Sequence, residues 1–119
     1  MVFRQQIQFK VGKYDLSLIT DAQINNIAIA LKRIKATKVI IRGHSDNQRF
    51  KGFTQIESDE LNQELSENRA KSVSQALVAN GISNRSIKTK GYGYKRPLVQ
   101  GNNENAWAKN RRVEIEVQH

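Results

Sequence analysis

The chain has 119 residues, which is enough to build one hydrophobic core but not two. It contains no cysteine, which excludes a disulfide framework and a thiolate nucleophile or metal ligand. No apolar run approaches the roughly 18 residues that a membrane-spanning helix needs. We therefore expect a single domain over residues 1–119, with any membrane contact made only through an N-terminal anchor that precedes this sequence.

The formal net charge is +9 at pH 7, and the basic residues fall in every segment of the chain. A charge of this size favours encounter with nucleic acid, an anionic membrane or an acidic polymer. Because the cations do not gather on one helix, the pattern is more typical of a solvated basic surface than of a nucleic-acid interface. We therefore expect no nucleic-acid partner.

The first predicted strand covers residues 4–11, where polar and apolar side chains alternate. This alternation places Ile7, Phe9 and Val11 on the buried side of the strand. A helix is predicted next, over residues 21–35, because its apolar residues recur at helical spacing.

A capping box formed by Thr20 and Gln23 is predicted to open this helix. The apolar run of residues 38–43 ends at a glycine and predicts a buried central strand. The strand, helix and strand together have the length of a βαβ unit.

The second predicted helix spans residues 58–81, with Ser58 as its N-cap and Asn80-Gly81 at its end. The preceding connection, residues 47–57, is long for an α/β unit. Such a loop is either functional or merely flexible, and the sequence leaves both interpretations open.

Two further strands are predicted after the second helix, at residues 87–91 and 112–117. Trp107, in a short helical turn between them, is predicted to cover the core as a lid.

The second helix carries polar residues inside its apolar stripe, namely Asn62, Ser66 and Arg69. An unpaired buried guanidinium costs on the order of several kcal/mol, so we expect an anionic group to meet Arg69. One interpretation is a structural ion pair or a side chain that reaches back to solvent. The other is that Arg69 lies at the floor of a polar pocket and holds an anionic ligand through its planar fork.

His44, Ser45 and Asp46 directly follow the predicted central strand, at the edge where ligands of α/β sheets gather. These residue types occur in hydrolase triads, but neighbours on an extended backbone point to opposite faces. We therefore expect no catalysis by this trio, and interpret Asp46 as a lone carboxylate at the mouth of the sheet. The two histidines, His44 and His119, are too few for a zinc site without cysteine or a well-placed acid.

Four motifs together resemble the OmpA-like peptidoglycan-binding domain: GHSD at 43–46, NQELSENRAKSVSQAL at 62–77, GYG at 91–93 and NRRVEI at 110–115. OmpA C-terminal regions, Pal-type lipoproteins, MotB-type flagellar stators and some type VI secretion anchors share that domain. The resemblance implies an α/β fold, a βαβαβ core with a final added strand and helices packed on a mixed four-stranded sheet.

The resemblance also implies a noncatalytic, cofactor-free domain in the periplasm of a Gram-negative bacterium, which binds peptidoglycan and so anchors a larger envelope complex to the cell wall. The ligand in relatives is meso-diaminopimelate of the stem peptide, whose free end carries an ammonium and a carboxylate. By the motif match, Asp46 would bind the ammonium and Arg69 the carboxylate. Asn62 would add a hydrogen bond and Arg111 would brace the site. Ser45, where threonine is usual, would keep the hydroxyl group.

The segment from Asp46 to Asn62 is longer than in simple OmpA or Pal relatives and is similar to the stator and secretion-anchor branch. This segment would shield the pocket or contact another chain, and formation of a homodimer stays open. The alternative function is a structural or protein-interaction domain of an envelope complex, in which Asp46 and Arg69 form only an internal salt bridge.

Overall fold

The computed structural model describes residues 4–118, apart from the side chains of residues 18 and 19. The elements alternate along the chain as β1 (Arg4–Gln8), α1 (Leu18–Arg33), β2 (Val39–Gly43), α2 (Gln55–Ala79), β3 (Ile87–Gly91), α3 (Glu104–Asn110) and β4 (Arg112–Val117). The strands form one mixed sheet in the order β1-β4-β2-β3, which confirms the predicted fold class. Within this described part, no helix has both the length and the apolar character needed to cross a membrane.

The last strand enters the middle of the sheet. Strand β4 is antiparallel to both β1 and β2, so β1 and β2 run in the same direction with β4 between them. Strand β3 completes the sheet by pairing with β2 in parallel. The predicted βαβ unit is therefore a split one: its two strands, β1 and β2, are not neighbours in the sheet, because β4 lies between them.

The hydrophobic core lies between the sheet and helices α1 and α2. From Val113 onwards every second residue of β4 is buried, as alternation in a strand with one covered face requires. The core residues of the sheet and of the two helices are Ile7, Val39, Ile41, Val113, Ile115, Val117, Ile24, Ile27, Ala28, Leu31, Ala70, Val73 and Leu77.

Two glycines let α2 pack closely on the sheet. Gly43 and Gly91 pair across β2 and β3, and both lie under Ser66 of α2. A Cβ atom at Gly43 would overlap the carbonyl oxygen of Ser66, and one at Gly91 would lie 2.6 Å from the Ser66 hydroxyl. The small residues at this crossing allow α2 to lie close against the carboxyl ends of both strands.

Helix α2 begins earlier than predicted. Thr54 is its N-cap and forms a reciprocal capping box with Glu57, so the predicted N-cap at Ser58 is wrong. The capping box satisfies two backbone N–H groups at once. Ser58 instead lies buried in the helix, where its hydroxyl accepts a hydrogen bond from Phe50 N at 2.9 Å. The connection of residues 47–57 is correspondingly shorter than expected.

The first strand ends earlier than predicted. Strand β1 stops at Gln8, and although Phe9 is buried, Val11 is 57% exposed, so its predicted place in the core is wrong. The chain turns at Gly12, which has a φ of 65°, and this turn leads Val11 away from the core.

Helix α1 begins at Leu18 with Ser17 as its N-cap, because the Ser17 hydroxyl accepts from Thr20 N at 3.1 Å. The predicted capping box of Thr20 and Gln23 is therefore wrong. The Gln23 side chain donates instead to the carbonyl oxygen of Gln6 at 2.8 Å, a contact that ties α1 to β1.

Trp107 lies on α3 and is only half-buried, outside the core cluster, so its predicted role as a core lid is wrong. Its Nε1 donates to Asn47 Oδ1 at 2.7 Å. A tryptophan needs a partner for this polar group, and the contact joins α3 to the loop that follows β2.

Candidate functional site

A pocket of about 200 Å³ lies where the carboxyl end of β2 meets α2. It brings together three of the residues predicted from the sequence, namely Asp46, Asn62 and Arg69. The chain after β2 is fixed at this edge, since His44 N donates to Arg112 O and Ser45 N donates to Gly93 O. The remaining lining residues are Val11, Gly12, Gln48, Arg49, Phe50, Lys51 and Leu65.

Arg69 is fully buried and is held by the backbone. Its Nε, Nη1 and Nη2 atoms donate to the carbonyl oxygens of Lys13, His44 and Lys10 at 2.8, 2.9 and 3.0 Å. A guanidinium has five N–H groups, so these three bonds leave two further donors. The guanidinium also lies 5.4 Å from the centre of the Phe9 ring.

The environment of Arg69 lowers its pKa but leaves the guanidinium protonated at neutral pH. Burial lowers the pKa of Arg69 to about 10, while the negative charge of Asp46 raises it and the positive charge of Arg111 lowers it. The group is therefore still charged at neutral pH. Within residues 4–118, its hydrogen-bond partners are all neutral carbonyl groups, so the anionic partner expected from the sequence is replaced by three oriented dipoles.

Asp46 is buried at the mouth of the sheet, with 7% of its surface exposed. Its Oδ1 accepts from Gln48 N at 2.9 Å, and its Oδ2 accepts from Gln48 Nε2 at 2.9 Å and from Arg111 Nη1 at 3.2 Å. The salt bridge of Asp46 is made to Arg111. The internal salt bridge between Asp46 and Arg69, considered as an alternative, is therefore wrong for the part of the chain that the structure covers.

Arg111 connects three parts of the fold. Its guanidinium donates to the carbonyl oxygen of Phe9 at 3.0 Å, to Asp46 at 3.2 Å and to Glu104 at 2.7 Å. It lines a neighbouring cavity, not the pocket that contains Arg69. Its position fits the predicted bracing of the site, because it fixes the Asp46 carboxylate through a second set of contacts.

Ser45 does not line the pocket. Its buried hydroxyl donates to the carbonyl oxygen of Asp46 at 3.0 Å. This bond stabilises the backbone that carries Asp46, and the place of Ser45 in the ligand site stays a prediction.

Asn62 lines the pocket and also holds its wall. Its Nδ2 donates to the carbonyl oxygen of Gln48 at 3.2 Å. Its Oδ1 forms no hydrogen bond within residues 4–118 and can still accept one, which is compatible with the predicted hydrogen bond to a ligand.

The segment from Asp46 to Asn62 was predicted to shield the pocket or contact another chain, but residues 48–51 were not individually predicted as part of its wall, and Val11-Gly12 was not predicted there at all. The bond from Gln48 N to the Asp46 side chain has the spacing of an Asx turn, so the local sequence held a signal for the first of these walls. The second wall comes from the turn after β1. Its contact with α2 joins residues more than 50 positions apart, and no local pattern predicts that.

The polar groups of this site are arranged for binding. The Ser45 hydroxyl is bonded to a carbonyl oxygen, and His44 Nε2 lies 3.1 Å from Glu114 Oε1. Nucleophilic catalysis by serine needs the histidine to be within hydrogen-bond reach of the hydroxyl. The pocket is lined by a buried guanidinium, two of whose N–H groups form no hydrogen bond within residues 4–118, and by one carboxylate.

Comparison with known proteins places this geometry in a family. The OmpA family model matches residues 8–111 of the chain. The chain is 33% identical over 105 residues to the peptidoglycan-associated lipoprotein of Pseudomonas putida, a match that covers 87% of this chain and 58% of the relative. The chain thus spans little more than half the length of this relative.

Solved structures agree with the sequence comparison. The peptidoglycan-associated lipoprotein from Burkholderia pseudomallei superposes with a TM-score of 0.80 at 26% identity, covering 95% of this chain and 89% of that one. The cell wall anchor of the T6SS from Pseudomonas aeruginosa superposes with a TM-score of 0.77 at 26% identity, covering 98% and 86%. The family match over most of the chain and the shared fold lead to one conclusion: the chain belongs to the OmpA family.

Proposed function

We propose that this domain binds peptidoglycan without catalysis and anchors a larger envelope assembly to the cell wall, in the periplasm of a Gram-negative bacterium. Two similar proteins are named for an association with peptidoglycan or the cell wall, the lipoprotein of Pseudomonas putida and the T6SS anchor of Pseudomonas aeruginosa. The net charge of +9 supports encounter with stem peptides, because these carry carboxylates.

The ligand group that the pocket fits best is the free end of meso-diaminopimelate, which carries an ammonium and a carboxylate on one carbon. The observation that carries this proposal is the state of Arg69: a fully buried, charged guanidinium with two N–H groups unused, in the same pocket as Asp46. A planar guanidinium binds a carboxylate through two parallel hydrogen bonds. The ligand carboxylate would thus supply the anion that the fold does not.

Asp46 would bind the ammonium group. Its carboxylate has about four acceptor positions, and the bonds from Gln48 and Arg111 use three of them. Asn62 Oδ1 would accept a further hydrogen bond from the same ammonium. The two charged groups are therefore already fixed by protein contacts, and such preorganisation reduces the entropy lost on binding.

Titration with muropeptides tests this function. We expect a diaminopimelate-containing muropeptide to bind, and a lysine-type muropeptide to bind more weakly, because lysine lacks the carboxylate that Arg69 would hold. Asp46→Ala and Arg69→Ala should each cost about 2–4 kcal/mol of binding free energy, largely because the partner charge is left unpaired.

Arg85→Ala is the matched control, because Arg85 is an exposed arginine on the short 3-10 turn before β3, outside the pocket. It should bind like the wild type. Pull-down with purified sacculi gives an independent measurement. Equal retention of the wild type, Asp46→Ala and Arg69→Ala by sacculi would refute the assignment of the pocket and favour a structural or protein-interaction role.

A further inference from the structure

The pocket carries more positive charge than a zwitterion can balance. Its charged lining residues are one carboxylate, Asp46, and three cations, Arg69, Arg49 and Lys51. The carboxylate is moreover already paired with Arg111. Bound diaminopimelate, with one ammonium and one carboxylate at its free end, would therefore leave the cations at the rim unmatched.

We propose that Arg49 and Lys51 select stem peptides that carry a second free carboxylate near the diaminopimelate, and discriminate against peptides in which that group is amidated. This inference rests on the proposed function and names a specificity of the same site. Both side chains are exposed and line the pocket, and neither forms a side-chain hydrogen bond or salt bridge within residues 4–118. They are thus available to a ligand.

The loop that presents these two cations is held in place. Phe50 N, between them, donates to the buried hydroxyl of Ser58 at 2.9 Å. On the pocket side, the carbonyl oxygen of Gln48 accepts from Asn62 at 3.2 Å. Both anchoring residues belong to α2, so the rim of the pocket keeps a fixed distance from the helix that carries Arg69.

The loop also closes on itself. Phe53 N donates to Phe50 O at 3.2 Å, and Gly52 takes a φ of 86° that suits this tight turn. Helix α2 starts directly afterwards at its capping box. The connection after β2 is thus an ordered wall of the pocket, in which Arg49 and Lys51 flank the anchored backbone amide of Phe50.

The chemistry of the stem peptide supplies the matching group. The glutamate before diaminopimelate is linked through its side-chain carboxyl group, so its α-carboxyl group is either free or amidated. Amidation leaves the size of the group almost unchanged and removes its charge. A difference in affinity between these two forms therefore reports on charge recognition next to the diaminopimelate end.

Titration calorimetry with two muropeptides, one with free glutamate and one with its amidated form, tests the inference. We expect the wild type to bind the free acid about fivefold more tightly, as two partly exposed ion pairs would give. The double variant Arg49→Ala/Lys51→Ala should bind both muropeptides alike, at the affinity of the amidated form. The preference should also fade at about 1 M salt, where the Debye length is about 3 Å.

The control Arg85→Ala/Lys88→Ala removes the same charge from exposed positions at and before the start of β3, the strand end remote from the site. It should keep the fivefold preference. Equal affinity of the wild type for both muropeptides, or an undiminished preference in Arg49→Ala/Lys51→Ala, would overturn the inference while leaving peptidoglycan binding intact. Failure of the wild type to bind either muropeptide would instead reject the proposed function, and this inference with it.

Discussion

The carboxylate of Asp46 pairs with Arg111 at 3.2 Å, whereas Arg69, which lines the same pocket as Asp46, is held by carbonyl oxygens. Had Asp46 and Arg69 paired with each other, N–H groups of Arg69 that are now left for a ligand would have bonded Asp46 instead. Because each is held by a different partner, a positive and a negative group both face the cavity. This separation is the physical basis of the proposed zwitterion site.

Arg111→Ala should lower both stability and ligand affinity. The substitution removes the donors to Phe9 O and Asp46, and hydrogen bonds to charged groups contribute about 1.5–3 kcal/mol each. We expect a loss of about 2–3 kcal/mol in the free energy of unfolding, measured with urea. Glu104→Gln should cost less than about 1 kcal/mol, since the Glu104 side chain is 67% exposed. Equal effects of the two substitutions would contradict the bracing role.

Arg69→Met tests how far Arg69 stabilises the fold in the absence of ligand. Methionine keeps most of the volume but leaves three carbonyl groups without their donor. One of them, the carbonyl group of His44, is buried. We expect the free energy of unfolding to fall by about 2–4 kcal/mol. Lys71→Met, at an exposed position of the same helix, should change it by less than about 0.5 kcal/mol. A change below about 1 kcal/mol in Arg69→Met would show that these bonds contribute little.

His44 should make the protein less stable in acid. Burial, together with the positive charge of Arg112, lowers the pKa of His44 from 6.5 to about 4, although Glu114 acts in the opposite direction. The unfolded chain therefore binds more protons between these two pH values, and the free energy of unfolding falls as the pH falls from about 6.5 to about 4. We expect a loss of about 2–3 kcal/mol across this window, measured by urea unfolding at a series of pH values.

His44→Phe is the variant that isolates this effect. It keeps a ring against Tyr92, on which His44 stacks with a centroid distance of 5.4 Å, and it removes the titrating group. The wild type should lose more stability than His44→Phe between pH values of about 6.5 and 4.5. Glu114 acts mainly below this range: burial raises its pKa, but Arg112 and His44 outweigh burial and lower it. Parallel pH profiles of the two proteins would show that His44 does not titrate as expected.

Gly43→Ala should be severely destabilising. A methyl group at Gly43 would overlap the backbone of Ser66, so α2 must move away from the sheet. We expect a loss of more than about 3 kcal/mol, seen as a lower melting temperature by circular dichroism. Gly52→Ala is the contrasting case, because open space surrounds Gly52 and only its φ of 86° opposes a side chain. Gly52→Ala should lower the free energy of unfolding by about 1–2 kcal/mol. An equally small loss in Gly43→Ala would show that α2 does not pack tightly on β2 at this position.

Much of the fold could be predicted from the chain because its signals are local. The strands at residues 87–91 and 112–117 were predicted with the bounds that the structure gives. Errors occurred at element ends, where several capping residues compete. Ser58 is a good N-cap residue, but the reciprocal bonds of Thr54 and Glu57 begin the helix one turn earlier.

The site was predictable in part for the same reason. Helical spacing alone placed Arg69 in the buried stripe of α2, and the end of β2 placed Asp46 at the edge of the sheet. The groups that bind these two charged side chains could be identified only from the tertiary structure. Arg111 follows Asp46 by 65 positions and Lys10 precedes Arg69 by 59, and no periodicity reaches across such distances.

Residue type and spacing thus determined which side chains must be buried and which elements carry them. The tertiary structure decided which charges meet. Backbone carbonyls from two separate segments hold Arg69, and the turn just before β4 supplies the cation for Asp46. The physical reason is that a buried charge needs a partner in space, whereas the sequence specifies only neighbours along the chain.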